Sequence, residues 1–262
     1  MKYDFILVVL TYKNIADLED FFNFFKLPRT KVIVVNSFYD DESDCEFRKI
    51  AECNNADFIS IPNKGYGFGN NCGCKYALTH YDFKYLVVSN ADINILRMNV
   101  NDLRKYPDGI YAPSIHTLSG KQQNPHMPYH LKSVDNVKYM LFLKNNWKGI
   151  MMFCALNKIF RLFFLIIGRF FCNKVYSAHG AFVIVPEKEA RILYPFYDED
   201  VFLFTEEEHL AMKAKEAGIG TYFVPEIQIK HKEDGSVSAV PLCQRDITRK
   251  SYITFWNKWY NQ

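Results

Sequence analysis

Phe5-Ile-Leu-Val-Val-Leu10 and Lys31-Val-Ile-Val-Val35 are continuous apolar runs of strand length, and between them Leu18, Phe21, Phe22 and Phe25 follow helical spacing. An unbroken apolar run is what a strand covered on both faces looks like, and a strand–helix–strand unit of this size closes with one hand in nearly every known case. The chain is therefore committed to an α/β sheet that begins parallel. Thr11-Tyr12-Lys13-Asn14 turns the chain after the first strand, Asn14 is placed to cap the helix, and Pro28 stops it. Glu46 to Cys53 then reads as a second helix, and Asp57-Phe-Ile-Ser-Ile61 as a third strand.

The fourth apolar run carries chemistry. Lys84-Tyr-Leu-Val-Val-Ser-Asn-Ala-Asp92 is too short for a helix and ends in oxygen-bearing side chains. In open α/β sheets ligands bind beyond the carboxyl ends of the strands, so Asp92, with Asn90 two residues before it, is placed to hold a hard cation. A strand-to-turn signal would use the same residue types. Ahead of this strand, Asn63-Lys-Gly-Tyr-Gly-Phe-Gly-Asn-Asn-Cys-Gly-Cys-Lys-Tyr-Ala77 packs four of the twelve glycines into one stretch, expected to be a loop with Asn70 or Asn71 capping the helix that follows. Glycine lets a backbone approach a ligand, and a helix N-terminus offers free N–H groups to an anion. No Gly-Lys-Ser/Thr closes the stretch, and it does not follow the first strand, so neither the P-loop nor the dinucleotide fingerprint fits.

Composition removes several classes. A net charge of +3 over 262 residues, with no run of Lys and Arg interleaved with aromatics, argues against nucleic acid as a partner. The seven Cys are scattered, and Cys72 and Cys74 lack zinc spacing, so reduced intracellular thiols are expected. Only six apolar residues run between Asp4 and Thr11, too few for a signal peptide, and the chain is expected to stay in the cytosol.

Further along, Gly109-Ile-Tyr-Ala-Pro-Ser-Ile115, Ser177-Ala-His-Gly-Ala-Phe-Val-Ile-Val-Pro186 and Val224-Pro-Glu-Ile-Gln-Ile-Lys-His231 read as strands. Between the first two lies an intensely apolar segment, 141–174, interrupted by Lys144, Lys148, Lys158, Arg161, Arg169 and Lys174. The charges make it fall short of a spanning helix, and two readings remain: a helix lying in the headgroup plane, or a core helix with a basic outer face. The aromatic and basic tail, 245–262, reads as a second interfacial anchor. Thr205-Glu-Glu-Glu-His-Leu210 opens another helix, with Thr205 and Glu208 in capping-box register and Glu206 on the face of Lys213. Glu207 shares a face with Leu210, Ala211 and Ala214, which must point inward. An inward acid is costly unless it has a task, although acids also favour the positive end of a helix.

These stretches, in this order, resemble the inverting glycosyltransferases of family two, and more narrowly the rhamnosyltransferase-like members that build bacterial surface polysaccharides. The points of likeness are Thr11-Tyr12, Asn36-Ser37, the Asn-x-Gly-Tyr-Gly-x-Gly-Asn-Asn stretch, Asn90-Ala-Asp92, Gln122-Gln123, the acidic pair Glu206-Glu207, and His231 followed by Gly235 and Ser236. Val35 stands where the family usually has Asp, and Asn90 where its metal motif has a first acid. The resemblance implies a GT-A fold: an α/β domain over 1–262, with a Rossmann-like, mostly parallel central sheet flanked by helices. Its nucleotide-sugar half would cover about 1–95, and its acceptor half about 96–240, including 141–174 as a membrane-surface segment.

It further implies that Thr11, Tyr12, Asn36, Asn63, Gly65, Gly69, Asn71, Asn90 and Gln123 meet a nucleoside diphosphate sugar. Gln122 and Gln123 could equally belong to a plain polar hairpin. Asp92 and His231 would hold a divalent metal, Mn suiting the imidazole better than Mg. Glu207 would be the catalytic base, acting on a lipid-linked acceptor at the inner face of the cell membrane. The competing expectation is a catalytically silent protein of the same fold that binds a sugar nucleotide or a partner.

Overall fold

The protein is described by a computed structural model that covers residues 2–170, 172–232 and 244–261. Its first four strands, β1 (Tyr3–Thr11), β2 (Thr30–Phe38), β3 (Asp57–Pro62) and β4 (Phe83–Asn90), pair in parallel in the order β3-β2-β1-β4. The crossovers are α1 (Ile15–Phe24), α2 (Asp41–Cys53) and α3 (Tyr66–His80). Alternate residues of β1 enter different cores: Phe5, Leu7 and Val9 one, Ile6 and Val8 the other. Both faces are covered, which is why the run is apolar throughout. Register sets Thr11 opposite Asn36 and Leu10 opposite Asn90, so three strands end along one edge.

Beyond β4 come β5 (Ile93–Arg97), α4 (Val100–Leu103), β6 (Gly109–Thr117), α5 (Lys132–Leu143), α6 (Trp147–Ile166), β7 (Lys174–Val175), β8 (Phe182–Pro186), α7 (Glu187–Leu193), α8 (Glu206–Glu216), β9 (Gly220–His231) and α9 (Gln244–Tyr260). The sheet continues β4-β8-β6-β9-β5, with β7 also on β9. Here β8 is antiparallel to β4 and β6, β9 is parallel to β6, and β5 is antiparallel to β9. The expected mostly parallel sheet is thus parallel through its first four strands and mixed beyond them.

Local expectations change in several places. Asn14 does not cap the backbone of α1; its amide donates to Asp17 Oδ2 at 2.5 Å. Helix α2 starts before Glu46, because Asp40 Oδ1 accepts from Ser43 N at 2.8 Å and caps it. The glycine-rich stretch is not a loop. Helix α3 begins at Tyr66, after Gly65 at φ 111°, and Asn70 and Asn71 lie inside it. A Cβ on Gly69 would meet Leu10 Cδ1 at 2.5 Å, and one on Gly73 would overlap Val8 and Val35, so these glycines let the helix lie close on the sheet.

The tail, expected to be a second interfacial anchor, packs as α9 on α5 and α8 and turns most of its aromatic side chains inward. Tyr252 and Phe255 are buried, Trp256 stacks on Tyr139 at 3.9 Å, and the Trp259 indole donates to His209 Nδ1 at 3.0 Å. Helix α6 is, by length and composition, apolar enough to cross a membrane, and 11% of its most apolar window is buried. One face is docked through Phe164 on Phe223 and Asn157 Nδ2 on His126 O at 2.9 Å. Among its cations, Arg161 turns inward and donates to Gln123 O at 2.9 Å.

A candidate active site where the strands end

The carboxyl ends of β1, β4 and β9, the entry to β8 and the start of α8 surround a cavity of about 1550 Å³. On one wall β4 delivers Asp92 and β9 delivers His231, both buried, with Oδ2 3.2 Å from Nε2. The other imidazole nitrogen, Nδ1, lies 2.8 Å from Gln123 Oε1. With Nδ1–H held by that amide oxygen, Nε2 is aimed at the carboxylate, and a proton or a cation can stand between them. An imidazole fixed from behind by a carbonyl is how metal-binding histidines are usually oriented.

Tyr66, in the first turn of α3, joins the walls: its hydroxyl donates to Gly180 O at 2.8 Å and to Asn90 Oδ1 at 3.3 Å. Burial, then the nearby Glu207 and Glu206, keep this phenol neutral by pushing its pKa far up. His179 is half-buried, and its Nδ1 accepts from the Ala181 N–H at 3.1 Å. Burial, with His126 and His231 adding to it, holds His179 well below the usual imidazole range.

The capping box expected at Thr205 does not form. Thr205 adopts φ 69°, outside the extended region an N-cap uses, and among the described residues its buried hydroxyl has no partner. The three glutamates that follow have different fates. Glu206 is not on an outer face; it is buried, and burial, then Glu207, push its pKa well up, which keeps it a neutral acid. Glu208 turns to His126 at 3.9 Å and Lys138 at 4.0 Å; burial opposes the charge, but these partners hold the carboxyl down at about 2. Burial would lower His126, yet Glu207 and then Glu208 raise it instead. Glu207 is half-buried on the cavity wall, where Oε1 accepts from Gly180 N at 3.1 Å. His126, Glu207 and Glu208 also bring one metal-ligating atom each within 4.8 Å of one another.

Of the residues singled out from the sequence, Thr11, Tyr12, Asn63, Gly65, Asn90, Asp92, Glu207 and His231 line this cavity. Four do not. Asn36 lies behind Thr11, and its amide donates to Asp44 Oδ1 at 2.8 Å. Gly69 packs on Leu10. Asn71 spends its amide on Tyr197 N, Tyr197 O and Glu199, which pins the chain before α8. Gln123 stands behind His231 rather than facing a sugar, and Gln122 is held by Ile115 N and Ser114 Oγ. Gly235 and Ser236 fall outside the described residues. The site roles of Tyr66, His126 and Arg161 went unread, because a lone His and a lone Arg carry no local pattern. Tyr66 had one faint signal, an aromatic set between glycines.

No family profile and no curated protein matches this sequence. Solved structures do. GalNAc-T7 with UDP, GalNAc and Mn2+ superposes at TM-score 0.57 and 11% identity, over 88% of this chain and 44% of that one. The mannosyltransferase PcManGT from Pyrobaculum calidifontis, in complex with GDP-Man and Mn2+, gives TM-score 0.55 and 14% identity over 99% and 72%. S. aureus TarS 1-349 with UDP-GlcNAc gives 0.54 and 14% over 93% and 63%. The chain spans less than half the length of the GalNAc-T7 chain and 36% of another TarS chain. At these identities the likeness is one of architecture: the fold is that of the GT-A glycosyltransferases.

Proposed function

We propose that the protein is a metal-dependent, inverting glycosyltransferase that moves a sugar from a nucleoside diphosphate sugar to a hydroxyl of a lipid-linked glycan. On this reading it serves bacterial surface polysaccharide synthesis at the inner face of the cell membrane. The observation that carries it is the pairing, in one cavity of a GT-A fold, of Asp92 and His231 on one wall with Glu207 on another. Similar folds hold UDP or GDP-Man together with Mn2+, which supports the donor class.

The donor set suits a divalent cation. One carboxylate and one imidazole converge, and Gln123 fixes the imidazole from behind. When bound there, the cation would neutralise the charge that grows on the departing diphosphate. Thr11, Tyr12, Asn63 and Asn90 line the strand-end part where the nucleotide sugar would lie. Glu207 is suited to take the proton of an acceptor hydroxyl at Oε2, because the Gly180 N–H holds Oε1. Its neighbours are poor bases: Glu206 is kept neutral, and Glu208 is engaged by His126 and Lys138. Attack opposite the leaving group in one displacement inverts the anomeric centre.

Replacing Glu207 by Gln keeps the shape and removes the base. Transfer should fall by about 10² to 10⁴ while the melting temperature holds. Unchanged transfer would remove the base assignment, and no transfer by the wild type with any nucleotide sugar would favour the silent binding protein.

A further inference from the structure

We propose that the part of the cavity between α5 and α6 holds the hydrocarbon chain of a lipid phosphate, whose phosphate group is received by Arg161. This deepens the acceptor class of the proposed transfer and rests on that reading for its catalytic meaning.

The cavity exceeds the roughly 300–1,000 Å³ of ordinary small-molecule sites, and its two ends differ in chemistry. At the strand ends the lining is Thr11, Asn90, Asp92, Glu207 and His231; between α5 and α6 the apolar lining is Val134, Phe142, Ile150, Phe153, Leu156 and Phe160, with Asp135, Lys138, Asn157 and Lys158 of the same helices beside it. Exposure grows along the apolar part. Phe142 and Ile150 are buried at its inner end, whereas Leu156 and Phe160 are 40% and 52% exposed at its mouth. The mouth adjoins a stripe of α6, Met152, Leu156, Ile159, Phe163 and Ile166, at helical spacing and all exposed. A continuous apolar stripe of this kind marks a surface that meets lipid or a partner.

Charge selects lipid. The chain has no Asp or Glu between Asp135 and Glu187, and Lys148, Lys158, Arg169 and Lys174 are exposed along or beside the stripe. Such a field suits an anionic membrane surface. Arg161 points the other way, into the cavity. It is half-buried, and among the described residues its one hydrogen bond is to Gln123 O and no carboxylate lies within ion-pair distance. Burial lowers its pKa, with no acid among the causes. A cation drawn out of water without a counter-charge is costly unless a ligand supplies one. Through Gln123 this guanidinium sits next to the residue that orients His231, so an anion on it would lie where the polar and apolar parts meet.

The test uses the full chain and no donor. Farnesyl phosphate, farnesol, dimethylallyl phosphate and inorganic phosphate are titrated by calorimetry below the micelle concentration. Farnesyl phosphate should bind about tenfold or more tighter than dimethylallyl phosphate, because the longer chain buries more CH₂ groups. Arg161→Gln should reduce farnesyl phosphate to the level of farnesol. Leu156→Glu, at the exposed mouth where folding is not at stake, should weaken both long-chain ligands. Equal binding of the long and short phosphates would remove the chain site. Loss of UDP or GDP binding in Arg161→Gln, with farnesyl phosphate unaffected, would give the guanidinium to the donor diphosphate instead. Failure of nucleotide binding would leave these titrations readable, and failure of the titrations would leave transfer to a water-soluble acceptor intact.

Discussion

Helices α3 and α8 both begin at the cavity, and both are entered through a residue with positive φ, Gly65 at 111° and Thr205 at 69°. The turn that leads into α8 touches α3, Tyr66 N donating to Phe202 O at 2.9 Å. Their first turns are opposites: α3 has no acid there, and α8 has three. The glycines that looked like a ligand cradle are mainly a packing device, and the part of α3 that reaches the site is the Tyr66 hydroxyl. The acids that looked partly like a capping box form a graded set instead. The left-handed Thr205 gives up the cap, which frees Glu208 to meet His126 and Lys138, while Glu206 is buried neutral and Glu207 faces the cavity. Two dense motifs at equivalent places therefore serve different ends, and the entry residue's backbone decides which.

The sharpest way to break this contrast lies within α8. Glu206→Gln should leave transfer within about threefold of wild type, because the group is neutral already, whereas Glu207→Gln should lower it by about 10² to 10⁴. The reverse ranking in a steady-state assay would exchange their roles.

On the α3 side, Gly73→Ala should cost about 1–3 kcal/mol in chemical denaturation, since its Cβ would overlap Val8 and Val35. Nucleotide affinity of the folded fraction should not change. Weaker nucleotide binding without loss of stability would restore the glycines as a ligand loop.

The acids also differ in sign with pH. Glu208 is held at about 2 against an ordinary 4.5, so its contribution is present above 4.5 and is lost as pH falls toward 2. Glu206 is raised, so it favours folding fully below 4.5 and less as pH climbs toward its folded value. Melting curves should accordingly show Glu208→Gln below wild type at pH 7, with the gap closing toward pH 2. Glu206→Gln should rise above wild type at pH 8 and match it below 4.5. A gap for Glu208→Gln that persists at low pH would mean lost packing rather than lost charge. The smallest effect is expected for Tyr66→Phe, about 0.5–1.5 kcal/mol for the hydrogen bond to Gly180 O.

The parallel half of the sheet was legible because each of its strands is a local apolar run buried on both faces. So were Asp92 at a strand end and Glu207 on the inward side of a helix start. What escaped depends on distant partners. The antiparallel insertion of β8 between β4 and β6 has no signature in its own residues. Arg161 reads as one of several cations on an apolar helix until its bond to Gln123 turns it inward. The tail resembles an anchor until Asp135, buried on α5, accepts from Tyr252 at 3.2 Å and Tyr260 at 2.6 Å and docks it.

The central claim, a cation-assisted nucleotide-sugar site at Asp92 and His231, is met most directly by thermal-shift titration. UDP, GDP and their sugars would be tested with and without Mn2+, on the wild type and on Asp92→Asn. One nucleotude class at a hundred times its dissociation constant should add about 2.7 kcal/mol of stability, only with the metal and only in the wild type. Stabilisation by no nucleotide, or stabilisation indifferent to both Mn2+ and Asp92→Asn, would contradict it.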